Sequence, residues 1–81
     1  MATQSDRRVN VEQVNTALCR LLIQKVRTDQ YPSFTQMNII EQSIPPSLHR
    51  EYVSVLLEKV MGERFPSTSM LRRIQRFAGQ V

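Results

Sequence analysis

Few side chains in this 81-residue chain could carry chemistry: one imidazole, His49, one thiol, Cys19, seven carboxylates, and eleven lysines and arginines that leave a net charge of +4. A nucleophilic thiol needs a base beside it and an orienting group behind that base. His49 lies in a different segment, and Cys19 falls among apolar residues at helical spacing, the place of a small core side chain. One Cys with one His cannot complete a tetrahedral zinc site, and a single Cys builds no disulfide framework. The carboxylates Asp6, Glu12, Asp29, Glu41, Glu51, Glu58 and Glu63 show no metal-loop spacing, and two glycines, Gly62 and Gly79, make no phosphate loop. The residues therefore predict no enzyme, cofactor or metal.

Arginine is the one cluster left. Arg72, Arg73 and Arg76, with Arg64 just upstream, fall at three- and four-residue spacing and are expected to share a helix face opposite Met70, Ile74 and Phe77. A basic face of this kind meets phosphates or an acidic protein surface, and Arg7 and Arg8 near the start of the chain would add two contacts. The same residues also serve as ordinary solvated surface, because arginine favours helices and small proteins need charge.

The elements that must position these groups repeat. A 34-residue shift lays Leu22-Ile23-Gln24-Lys25-Val26-Arg27-Thr28-Asp29-Gln30-Tyr31-Pro32-Ser33 on Leu56-Leu57-Glu58-Lys59-Val60-Met61-Gly62-Glu63-Arg64-Phe65-Pro66-Ser67, with five of the twelve pairs identical and four conservative. The period equals that of tetratricopeptide repeats, but the small residues those repeats place at helix crossings fall here on Ile40 and Val53. The arginines belong to the second copy only. Arg72, Arg73, Arg76 and Arg64 align with Asn38, Ile39, Gln42 and Gln30.

Each copy reads as a long helix, an aromatic-Pro-Ser turn and a shorter helix. Asn10 is an N-cap with Gln13 completing a capping box, and Val11, Val14, Leu18, Leu21, Leu22 and Val26 are expected to form the buried face of a helix running to about Arg27. Tyr31-Pro32-Ser33 and Phe65-Pro66-Ser67 are structural turns: the ring plugs the base of the hairpin, Pro stiffens the connection, and Ser33 and Ser67 cap the next helices. Phe34, Met37, Ile40 and Ile44 stripe the second helix. Leu48, Tyr52, Val53, Leu56, Leu57 and Val60 stripe the third, which Gly62 terminates, and Met70, Leu71, Ile74, Phe77 and Ala78 stripe the fourth.

The sequence thus predicts an all-α, small four-helix bundle made of two duplicated αα-hairpins, residues 10–44 and 45–78, related by a pseudo-twofold axis within a single domain spanning residues 10–79. Residues 1–9, polar and uncapped, read as a disordered arm. No run is long enough to span a membrane, and one unpaired Cys suits a reducing compartment, so the expected location is cytoplasmic. With Ile23, Ile39, Val55 and Met61 exceeding one apolar face per helix, the expected role is a non-catalytic protein-protein interaction module that binds another protein or a second copy of itself. The alternative is a small nucleic-acid-binding protein using Arg64, Arg72, Arg73 and Arg76.

Overall fold

The structure, a computed structural model, describes residues 10–79. Its described residues are all-α, with four α-helices and no strand: α1 (Val11–Thr28), α2 (Phe34–Ser43), α3 (His49–Met61), which a 3-10 turn at Pro46–Leu48 precedes, and α4 (Thr68–Ala78). The helix starts follow from their caps. Asn10 Oδ1 accepts the Glu12 amide at 2.8 Å, Ser33 Oγ accepts that of Gln36 at 3.2 Å, and Ser67 Oγ accepts that of Met70 at 3.1 Å. Gln36 Oε1 has no partner among the described residues, so the reciprocal half of the second capping box is not made. Gly62 ends α3 with its amide bonded to the carbonyl of Glu58. The 3-10 turn between hairpins was not evident from the sequence; Pro46 at its first position suits it.

The two helix pairs are antiparallel. Near the start of α1, Asn15 donates from Nδ2 to the Ser43 carbonyl at the end of α2 at 2.6 Å, while Phe77 near the end of α4 packs edge-on against His49 and Tyr52 at the start of α3. The hairpins meet where the end of α1 lies against α3. Lys59 donates to the Asp29 carbonyl there, and Arg27 pairs loosely with Glu51 at 3.9 Å. Between them lies the core of Cys19, Ile23, Val26, Met37, Ile40, Leu48, Tyr52, Val55, Leu56, Met70 and Phe77.

The core face of α1 differs from the one expected. Cys19, Ile23 and Val26 are buried, with Leu22 packed against them, whereas Val11, Val14, Leu18 and Leu21 stand in solvent. The physical reason is placement. Ser43 of α2 packs at Asn15 and Cys19, and α3 packs beyond, so the two neighbours flank the Cys19-Ile23-Val26 side and leave the other stripe uncovered. Helix length adds to this. The 18 residues of α1 outrun the 10 of α2, so the first turn of α1 projects past the level where α2 stops.

Burial also recurs one residue short of the 34-residue sequence shift. Cys19, Ile23, Met37 and Ile40 are matched in the core by Tyr52, Leu56, Met70 and Arg73. A one-residue slip turns a helix by about 100°, so the two hairpins present different faces of the aligned sequence to the core.

Candidate functional site

Three places gather the residues that could act: the contact between α2 and α4, the tips of the two hairpins, and the uncovered face of α1.

Arg73 does not join Arg72 and Arg76 on an exposed face. It occupies the buried register set by Met70 and Phe77, three before it and four after, which points it at α2 instead of solvent. Its Nη1 lies 2.6 Å from Glu41 Oε1, its Nη2 donates to Asn38 Oδ1 at 2.9 Å, and its guanidinium covers the Phe34 ring at 5.2 Å from the centroid. Tyr52 completes the network by donating from its hydroxyl to Glu41 Oε2 at 2.5 Å. Burial pushes the Tyr52 phenol far above its ordinary range, and its hydrogen bond to the Glu41 carboxylate pushes it further. With both oxygens of Glu41 engaged, this is a structural clasp between the last helix of each hairpin. Arg64, Arg72 and Arg76 are exposed; Arg76 packs over the Phe77 ring at 5.7 Å. Arg7 and Arg8, with the expected arm at 1–9, lie outside the described residues.

The aromatic turns also differ from expectation. Tyr31 and Phe65 do not plug their hairpins: they are 84% and 86% exposed. Instead both rings border one open groove at the hairpin tips, which Pro32, Phe34, Glu63, Ser67 and Met70 complete. Ser33 and Ser67 cap as expected, and Pro32 and Pro66 are half-buried in the turns.

Cys19 Sγ is enclosed, 3.9 Å from Asn15 Oδ1 and 3.8 Å from Ser43 Oγ, and His49 is half-buried against Phe77. Among the described residues no three His, Cys, Asp or Glu side chains converge as a metal site would need, and no helix is long and apolar enough to cross a membrane.

The uncovered face of α1 gathers four exposed apolar side chains on one helix. Val11, Val14, Leu18 and Leu21 are 81%, 49%, 45% and 70% exposed, and their three-four-three spacing sets them in a single line along the helix. Single exposed apolar residues are ordinary; four in register are not. Lys25, paired with Asp29 at 3.6 Å, closes the line at one end, and the Asn10 cap closes it at the other. Along the intervening turns Asn15, Ala17, Gln24 and the half-buried Leu22 flank the line, and the two charges in this stretch, Glu12 and Arg20, project away from it. Sequence reasoning picked out these four side chains and assigned them to the wrong side. Two adjacent apolar stripes on one helix were the available signal that only one of them packs in the core. No family model, curated protein or solved structure matches this chain.

Proposed function

We propose that this chain is a non-catalytic protein-protein interaction module whose docking face is the Val11-Val14-Leu18-Leu21 line of α1. The carrying observation is the exposure of those four side chains in one register, a coiled-coil seam without a second helix. Behind it, the core packs against the other face of α1, and the Arg73–Glu41 clasp ties α2 to α4. The two hairpins are read as copies of one unit, supported by the 34-residue match from Leu22 to Ser67, with their core registers since shifted.

A photo-activatable cross-linker placed at Leu18, with one at Arg20 as the control on the charged side, tests this reading in the cells that make the protein. Adducts specific to position 18 are expected. Equal or no adducts at the two positions would overturn it.

Nucleic acid is the alternative partner, through Arg64, Arg72 and Arg76 with Arg7 and Arg8. The engagement of Arg73 by Glu41 removes one member of that set and counts against it.

A further inference from the structure

We infer that the occupant of the α1 seam is a second copy of this chain, its α1 running antiparallel across a twofold axis that lies between Val14 and Leu18. The inference rests on the docking reading above and goes one step further, to the identity and orientation of the partner.

Three observations favour a copy of the chain over a different protein. The first is the order of side chains. A twofold contact requires that the surface complement itself, residue by residue. Three-four-three spacing reads the same in both directions, and antiparallel pairing sets Val11 on Leu21 of the second copy and Val14 on Leu18 of the second copy. Every layer then joins one smaller and one larger side chain. Parallel pairing would stack valine on valine at one end and leucine on leucine at the other, leaving one end thin and the other crowded.

The second observation is charge. Two chains of net charge +4 repel, so a homodimer forms best where neither copy presents charge. Between the Asn10 cap and Lys25, whose charge at the end of the line is paired with Asp29, the seam and its flanks are neutral on the contact side, with Glu12 and Arg20 turned away. An acidic partner would be drawn to the arginines of α4 instead.

The third is area. Covering the four exposed side chains removes on the order of 400 Å² per copy, the size of a functional patch on a small protein. With the flanking Ala17, Asn15 and Gln24, a pair of copies reaches roughly 1,000 Å², the lower bound for a specific interface. A dimer at this lower bound is expected to dissociate on dilution.

The test uses two single-cysteine additions, Val14→Cys and Leu18→Cys, on distinguishable tags, oxidised separately and as an equimolar mixture. The native Cys19 is fully buried and stays in place. Antiparallel pairing brings position 14 within disulfide reach of position 18 across the axis, while equal positions are offset by a helical turn. The mixed disulfide is expected to form at least about tenfold faster than either homodimer. Homodimers forming as fast as the mixed species would overturn the orientation. No disulfide in any sample would overturn the second copy as occupant, and if position-18 adducts with another protein persist in cells, the docking face itself stands.

Discussion

Arg73 Nη1 stands 2.6 Å from Glu41 Oε1, and this contact joins α4 of the second hairpin to α2 of the first. Both side chains are largely withdrawn from water; Tyr52 donates to the second Glu41 oxygen and Asn38 accepts from Arg73 Nη2, while Arg73 Nε is buried without a hydrogen-bond partner among the described residues. A charge left alone there has no solvent to replace its partner.

Arg73→Met should therefore destabilise the fold by about 3–5 kcal/mol, whereas Arg72→Met and Arg76→Met should stay within about 0.5 kcal/mol. Combining Arg73→Met with Glu41→Met should recover much of the loss, since an apolar pair needs no counter-charge. Urea unfolding of the four variants checks this. Equal costs for Arg73 and Arg72 would show that the clasp carries no weight.

Tyr52 links stability to alkaline pH. Its folded-state pKa is raised above the unfolded value of 10.0, so its contribution is fully present below pH 10 and is lost as pH climbs toward the folded value. Above pH 10 the unfolded chain sheds a proton that folded Tyr52 keeps, which adds a decline of about 1.4 kcal/mol per pH unit. The quantity to measure is the difference from Tyr52→Phe by unfolding at pH 9 to 11. Parallel pH curves for the two proteins would contradict the burial of the phenol.

The two stripes of α1 should respond unequally to truncation. Ile23→Ala opens a cavity in the core and should cost about 2–5 kcal/mol, while Leu21→Ala in dilute monomer should cost less than about 1 kcal/mol. Thermal unfolding at low micromolar protein separates the two. A larger loss at Leu21 would restore the face expected from sequence.

Binding to a DNA duplex should be weak and shallow in salt. Arg64, Arg72 and Arg76 can neutralise three phosphates, which corresponds to a slope of about −2.7 in log affinity against log salt, or about −4.5 with Arg7 and Arg8. Fluorescence anisotropy at several salt concentrations measures it. A slope near −6 or steeper would require more cations at the interface than this arrangement offers.

Helix ends were legible in the sequence because they are written in single residues. Asn10, Ser33 and Ser67 each cap where capping chemistry places them, and Gly62 stops α3. Helix faces were harder to read because they depend on neighbours. On α1 the richer line of Val and Leu is exposed, and the line containing the smaller Cys19 is buried, since only the packing of α2 and α3 decides which side is covered. Arg73 was misplaced for a related reason. Its spacing from Met70 and Phe77 is that of a core position, but an arginine enters the interior only when a carboxylate awaits it, and Glu41 is 32 positions away in the chain. Tyr31 and Phe65 were expected to fill their hairpins, yet both turns hold their rings outward along one shared groove.

Sedimentation velocity of the wild-type chain across roughly 1 µM to 1 mM, beside Leu18→Glu, tests the seam most directly. The wild type is predicted to shift from monomer to dimer with concentration, and Leu18→Glu, folded by circular dichroism, to remain monomeric because a carboxylate in the closed seam weakens pairing by about 100-fold or more. A wild type that stays monomeric at 1 mM, or a variant that dimerises equally well, would contradict the assignment of the Val11-Val14-Leu18-Leu21 face to a second copy.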